Sequence, residues 1–239
     1  MNGPNLQTFP NTASLANAVA AKWLEALKPS QGTAPSQAVA LSGGRIAKDF
    51  FSAVARMAAE RGHSLAQVHF FWADERCVPP ADAESNYRSA AELLFTPLGL
   101  PPLNIHRIRG EDEPDLAARH AEAELLQFAS VSAAGQPVLD LVLLGMGEDG
   151  HVASLFPGET EDTMRSPAVY RAVTASKPPP RRITLGYAAI AAARKVWVLA
   201  SGVGKETALR ESLAPQGKTP LARVLRERSQ TRIFTDLRP

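Results

Sequence analysis

The stretch from Val138 to Gly158, VLDLVLLGMGEDGHVASLFPG, constrains the fold of this chain more than any other. It opens on a near-continuous apolar run from Val138 to Leu144, interrupted only by Asp140. A short run rich in Leu and Val suits a strand buried on both faces, as in a parallel sheet. Gly145, Gly147 and Gly150 follow, where the backbone can turn tightly and approach a ligand with no Cβ in the way. Glu148, Asp149 and His151 sit on the same turn. In open α/β sheets ligands bind beyond the carboxyl ends of the strands, which is where this turn would lie. His151 has the chemistry of a general acid or base, since both of its proton states are accessible near neutrality. Asp149, two residues earlier, can fix its tautomer or orient a water. Val152 to Phe156 is expected to form a short helical turn that Pro157-Gly158 ends.

Other segments repeat the strand-then-turn logic. Thr12 or Ser14 can cap a helix whose apolar stripe runs through Leu15, Val19, Trp23 and Leu27, with Trp23 in the core. Pro29 to Pro35 is a loop. Gln37 to Leu41 reads as a strand, Ser42-Gly43-Gly44-Arg45 as a turn, and Ile46, Phe50, Phe51, Val54 and Met57 mark a helix reaching about Arg61. Strand, glycine turn and helix N-terminus present backbone N–H groups to an anion. The turn lacks the glycine spacing of a dinucleotide site and the Gly-Lys-Ser/Thr of a P-loop, which points to a phosphate or carboxylate rather than NAD or ATP.

Val68 to Ala73 is a second buried strand ending in Asp74-Glu75-Arg76. That triplet is either solvated or aimed into a site where Arg76 meets an anion. Ser85 is a natural N-cap for a helix running through Leu93, Leu94 and Phe95, and Asn86 at its first position can face the cleft. Asn104 to Ile108 is expected as a short strand. A helix should open between Asp112 and Asp115 and run to about Val131 with Leu116, Leu125 and Phe128 inward. Ala168 to Thr174 reads as a strand, and Lys177-Pro178-Pro179-Pro180-Arg181-Arg182 as a stiff basic loop able to hold Lys177 and Arg181 against an anion. Ile183 to Leu185 and Val196 to Ala200 add strands. Ser201 to Lys205 is another glycine turn before a helix, and Lys205 in the first helical turn would oppose the helix dipole, which suits an anionic ligand. Pro220 to Arg228 makes a further helix and Thr231 to Phe234 a last strand.

Several function classes are excluded. A formal charge of +2 is too small for a nucleic-acid surface, and Arg223, Arg226, Arg228 and Arg232 read as a solvated helix face. The single cysteine, Cys77, supports neither a disulfide framework nor a structural zinc site. His63, His69, His106 and His120 lie on separate elements without metal-ligand spacing, and all four are expected to be structural or surface residues. The opening MNGPNLQTFP has no basic start and no apolar core, and no run approaches the ~20 apolar residues that span a bilayer. The expectation is a cytoplasmic protein that binds neither membrane nor nucleic acid. The 239 residues can bury a sizeable core, and no low-complexity linker divides them, which leaves one domain over 1–239 with residues 1–10 as a tail or edge strand.

Three segments carry a family resemblance: LSGGR at 41–45, WADERCVPPADAESNY at 72–87 and GMGEDGHVASLFPG at 145–158. KPPPRRITL at 177–185 and ASGVGKE at 200–206 fit the same pattern. Together they resemble the 6-phosphogluconolactonases of the glucosamine-6-phosphate isomerase/deaminase superfamily, over nearly the whole chain. The resemblance implies a modified Rossmann-like α/β fold, a mainly parallel sheet with helices on both faces, with no cofactor and no metal. It implies hydrolysis of 6-phospho-D-glucono-1,5-lactone to 6-phosphogluconate in the oxidative pentose phosphate pathway, coupled functionally to glucose-6-phosphate dehydrogenase. By that analogy His151 is the general base for water and Asp149 helps to place it. Ser42, Gly43, Gly44, Arg45, Asp74, Arg76, Asn86, Lys177, Arg181 and Lys205 would surround the phosphorylated sugar lactone.

The family continues its glycine turn with Thr-Pro, where this chain has Ile46 and Ala47. The lost hydroxyl and the looser first helical position are expected to touch affinity more than activity. Two other readings compete. A glucosamine-6-phosphate deaminase would share the fold, but the Asp-Gly-His-x-Ala-Ser and Leu-Phe-Pro-Gly run fits the lactonase better. A non-catalytic sugar-phosphate sensor would carry an effector or DNA-binding domain, for which this chain leaves no room.

Overall fold

The computed structural model describes residues 5–27, 36–228 and 230–238; the expected loop over Pro29–Pro35 lies outside them. Eleven strands and nine α-helices alternate through the described residues. In chain order the first elements are β1 (Asn5–Thr8), α1 (Thr12–Ala26), β2 (Gln37–Leu41), α2 (Arg45–Arg61), β3 (Val68–Trp72) and β4 (Asp74–Arg76). Then come α3 (Asn86–Ala90), which continues through a π-helical turn into α4 (Thr96–Leu98), α5 (Pro114–Phe128), β5 (Ser130–Val131), β6 (Pro137–Val138) and β7 (Leu141–Gly145). The last are α6 (Glu161–Met164), β8 (Tyr170–Thr174), β9 (Arg181–Leu185), α7 (Tyr187–Ala192), β10 (Val196–Ala200), α8 (Glu206–Leu213), α9 (Pro220–Glu227) and β11 (Thr231–Thr235).

Six strands form one parallel sheet in the order β1-β11-β10-β7-β2-β3. Right-handed crossovers then decide where the helices go. The steps β1 to β2 and β2 to β3 move one way along the sheet, and their helices α1 and α2 pack on each other. The steps β7 to β10 and β10 to β11 move the other way, and α7, α8 and α9 pack together. The two groups therefore cover opposite faces, which is why β2, β7 and β10 are buried almost throughout. Trp23 packs on Phe50 and Phe70 at 5.8 and 6.2 Å between ring centroids, and anchors α1 against α2 and β3. No described helix is long and apolar enough to cross a membrane.

At Ala73 the chain passes from one sheet to another. The Ala73 N–H donates to Leu41 O in the parallel sheet, while Ala73 O accepts from Leu185 N–H in an antiparallel sheet of order β4-β9-β8. This hand-over drives Asp74 and Glu75 inward, to 4 % and 2 % exposure. Glu75 is satisfied by four donors: the N–H groups of Arg76 (2.7 Å), Asn86 (2.8 Å) and Tyr87 (2.8 Å) and the Ser85 hydroxyl (3.1 Å). It works as a buried cap on α3 beside the Ser85 N-cap, whose Oγ accepts from Arg88 N–H. Burial pushes the Glu75 carboxyl above its ordinary range, and the backbone donors pull part of that back.

Several local expectations change. Asn11 rather than Thr12 or Ser14 caps α1, taking the Ser14 N–H at 2.9 Å. The Thr12 hydroxyl instead reaches Asp236. The run from Val138 is broken at Asp140, whose carboxylate accepts the Ala38 N–H and pairs with Arg194, so the strand starts at Leu141. Asn104 to Ile108 is not a strand. Pro102–Asn104 is a 3-10 turn, and only Ile105 bridges to Phe70, because Asn104 turns its amide to Ala66 O and Val68 O. The Asp112 helix starts at Pro114, with Glu113 as its cap, and stops at Phe128, where residues 130–131 join a hairpin. Of its expected core residues only Leu125 is buried; Leu116 and Phe128 stand more than a third exposed. Val152 to Phe156 is a non-helical turn in which Val152 bridges Met146 and Leu155. The basic C-terminal residues are not simply solvated: Arg228 donates to Ile190 O, Ala191 O and Ala193 O, and Arg223 lies over Tyr187.

Removing the Glu75 carboxylate strands three backbone N–H groups in the interior. Glu75→Ala should therefore lower unfolding stability by about 2–4 kcal/mol, read as a lower urea midpoint at an unchanged slope.

Candidate active site

The chain leaves β2 and β7 in opposite directions along the sheet, so a crevice opens beyond their carboxyl ends. A cleft of about 310 Å³ occupies it. Turns from β2, β7 and β10 form one side, and the antiparallel sheet forms the other.

On the β7 side Gly147 is a spatial necessity. A Cβ there would fall 2.1 Å from Nδ1 and Cε1 of His151, so only glycine lets the imidazole fold back over its own turn. The turn closes through Gly147 N–H to His151 O (2.9 Å) and Gly150 N–H to Gly147 O (3.1 Å). His151 Nδ1 and Asp149 Oδ1 lie 2.5 Å apart, and the same oxygen accepts the His151 backbone N–H at 3.2 Å. Burial acts to raise the Asp149 carboxyl, but the His151 charge and these hydrogen bonds outweigh it and hold the acid below its ordinary range. An ionised carboxylate can only accept, so the neutral imidazole would carry its proton on Nδ1 and present Nε2 as the acceptor. The ring packs on Phe156 at 5.0 Å between centroids.

On the β2 side Gly44 precedes α2 with φ 98°, and among the described residues no side chain caps the first N–H groups of the helix. A side chain at Gly43 would meet Asn86 Oδ1 at 1.8 Å. Ser42 Oγ is buried and has no hydrogen-bond partner among the described residues. Ile46 and Ala47 occupy the first turn of α2 nearly buried, and Ile46 lines the cleft. Behind β10, Lys205 stands at the N-cap of α8 rather than in its first turn. Burial lowers its ammonium, and the Arg45 charge lowers it further, against partial relief from Glu148 and Asp236.

Five cations line the cleft, Arg45, Arg76, Lys177, Arg182 and Lys205, against the two carboxylates of Asp74 and Glu148. Arg76 donates to Glu84 O at 2.8 Å, and its buried Nε has no partner among the described residues. Asp74 has both oxygens engaged by protein donors, Ser154 Oγ at 2.8 Å and Asn86 Nδ2 at 3.4 Å. Of the residues expected from the sequence, Ser42, Gly43, Gly44, Arg45, Asp74, Arg76, Asn86, His151, Lys177 and Lys205 come together here. Asp149 stands behind His151, off the cleft wall.

Arg181 is the exception: it is exposed and does not line the cleft. Arg182 takes its place, 6 % exposed, with Nε on Pro179 O (3.0 Å) and its guanidinium 5.6 Å from the Phe156 centroid. Its charge is disfavoured first by burial and then by Arg76, against partial relief from Asp74 and Glu84. Strand alternation was the available signal. Residues 181, 183 and 185 share one face of β9, and Ile183 and Leu185 belong to the core, so 182 and 184 point to the other side. Away from the cleft, His69 and His106 hydrogen-bond to each other and His106 to Glu124. Among the described residues no group of three His, Cys, Asp or Glu is arranged to hold a metal ion.

Comparison with known proteins gives this arrangement its family. The model for glucosamine-6-phosphate isomerases/6-phosphogluconolactonase matches residues 10–234, and the chain belongs to that family. It is 35 % identical over 221 residues to a 6-phosphogluconolactonase of Streptomyces coelicolor, covering 90 % of this chain and 85 % of that one. A 6-phosphogluconolactonase of Haemophilus influenzae is 38 % identical over 175 residues, 72 % of either chain. Among solved structures, the 6-phosphogluconolactonase of Trypanosoma brucei superposes with TM-score 0.85 at 29 % identity, covering 98 % of this chain and 96 % of that one. A monomeric glucosamine-6-phosphate deaminase, 18 % identical over 97 % of this chain and 96 % of its own, shares the fold with TM-score 0.81.

The placement of the two neighbouring arginines yields a direct test. Arg182→Ala should weaken binding of inorganic phosphate at least tenfold, about 1.4 kcal/mol or more by calorimetry, while Arg181→Ala should change it less than about threefold.

Proposed function

We propose that the protein hydrolyses 6-phospho-D-glucono-1,5-lactone to 6-phosphogluconate, with His151 as the general base. The observation that carries this reading is His151 at the wall of a cation-lined cleft, with Asp149 behind it holding Nδ1 and leaving Nε2 as the acceptor.

The division of labour follows from charge. The phosphate end of the substrate, a dianion, suits a cleft lined by Arg76, Arg182, Lys205 and the turn before α2. Holding that end fixes the sugar ring, so the lactone carbon meets a water beside Nε2 without a further search. Water adds to C1 and passes its proton to Nε2, while nearby N–H groups and cations stabilise the oxyanion that forms. Collapse of the tetrahedral adduct breaks the bond between C1 and the ring oxygen. The imidazolium returns its proton to that oxygen, leaving a hydroxyl and a free acid that ionises. Asp149 stabilises the imidazolium between these steps and keeps the ring in the productive tautomer. In this reading Ser42, Gly43, Gly44, Arg45, Asn86 and Lys177 line the path of the substrate. The protein then acts in the cytoplasm, consuming the lactone that glucose-6-phosphate dehydrogenase releases.

Lactone freshly generated by glucose-6-phosphate dehydrogenase, with its spontaneous hydrolysis subtracted, provides the assay. His151→Ala should lower kcat by about 10²–10⁴-fold and leave 6-phosphogluconate binding within a few-fold. Equal turnover by that variant would remove His151 from the mechanism, and ammonia release from glucosamine 6-phosphate would favour a deaminase instead. Because Asp149 is held below the ordinary carboxyl range, it stays ionised while His151 takes up its proton. As pH falls, kcat/KM should therefore decline along a limb of one proton, and a two-proton limb would contradict the pairing.

A further inference from the structure

We infer that Ser154 and Asp74 are positioning residues for His151, and that Asp74 serves the histidine-bearing turn rather than the phosphate of the substrate. This rests on the reading of His151 as the base.

The turn that carries the histidine ends in a conformation that side chains rarely adopt. Ala153, two residues after His151, has φ 50° and is the one non-glycine residue with positive φ among those described. Its neighbours explain why it stays there. Val152, fully buried, bridges Met146 on one side and Leu155 on the other. Ser154 is also fully buried; its N–H donates to Thr184 Oγ1 at 3.1 Å and its hydroxyl to Asp74 Oδ2 at 2.8 Å. With the residues before and after it pinned, Ala153 has no freedom to relax, and the direction of His151 is set by the same two anchors.

Asp74 is itself held. It faces Thr184 across the β4–β9 ladder, its carbonyl accepts from Asn86 Nδ2 at 2.8 Å, and its Oδ1 lies 3.4 Å from the same nitrogen. Asn86 in turn fills the space that a side chain on Gly43 would need. A buried chain of contacts thus runs from the glycine turn after β2, through Asn86, Asp74 and Ser154, to the turn that bears the base. A carboxylate turned on a phosphate dianion would repel it, whereas one that accepts from Ser154 and Asn86 has its charge partly offset by those donors and orders two loops.

The experiment measures kcat, KM and 6-phosphogluconate affinity for Ser154→Ala, Ser154→Cys and Asp74→Asn, with Ser154→Ala repeated in a His151→Ala background. Ser154→Ala should lose about 10–100-fold in kcat, with KM and product affinity within about twofold, since small displacements of a catalytic group cost rate rather than binding. Ser154→Cys, close in volume and a weaker donor, should fall between it and the wild type. Asp74→Asn should lose kcat and bind product as tightly as before or more tightly. In the His151→Ala background the Ser154 change should alter the residual rate less than about twofold. Three results would overturn the inference. One is a wild-type kcat for Ser154→Ala while His151→Ala is impaired. Another is an equal loss in both backgrounds, which would mark a general effect on folding. The third is a tenfold fall in product affinity for Asp74→Asn, which would make Asp74 a ligand. An unimpaired His151→Ala would sink the base and its positioning together, and is told apart by that single variant.

Discussion

The site depends on the direction in which the chain leaves two neighbouring strands. β2 and β7 lie side by side and run parallel, but the connection from β2 proceeds towards one edge of the sheet and that from β7 towards the other. No helix can then cover the gap beyond their carboxyl ends. The turns at Ser42–Gly44 and Gly145–His151 face each other across it, with Gly145 and Gly43 close enough that a Cβ on the first would lie 3.6 Å from the carbonyl of the second. Placing a helix terminus without a side-chain cap opposite a histidine is thus a consequence of topology.

Within that crevice the two signs of charge are treated differently. Apart from Glu148, the carboxylates in and around it are engaged within the protein. Glu75 caps α3 with four donors, Asp74 accepts from Ser154 and Asn86, and Asp149 orients His151. The cations are held by weaker means: Arg182 rests on backbone carbonyls and an aromatic face, and Lys205 has its charge disfavoured by burial and by Arg45. Such a cleft is electrostatically incomplete, and an incoming dianion relieves the mutual repulsion of its cations while leaving the carboxylate contacts intact.

Much of this was legible in the chain itself. Each apolar run of the parallel sheet that ended in a glycine-rich or charged turn did contribute to the cleft, because a buried strand and its exit turn are local events encoded within a dozen residues. The misreadings came where a distant partner competed. Asp140 breaks an apolar run because Ala38 and Arg194 meet it there. Leu116 and Phe128 sit on a correct helical period, yet the helix is covered only along the stripe that includes Leu125. Arg181 and Arg182 are indistinguishable by composition and separated only by which face of β9 the core claims.

By itself the sequence determined the α/β class, the order of the strands' exit turns, the Asp149–His151 pair and the glycines that let it form. These follow from side-chain period, from steric freedom at glycine and from contacts two residues apart. Only the tertiary structure decided that Arg182 and not Arg181 enters the cleft and that Asp74 is engaged from Ser154 and Asn86. It also decided that Ala153 is held at positive φ between two buried anchors. The Asp74 and Ala153 outcomes rest on hydrogen bonds between residues up to 80 positions apart, which no local pattern encodes, whereas the alternation of β9 separates Arg181 from Arg182 only once the core has claimed one of its faces.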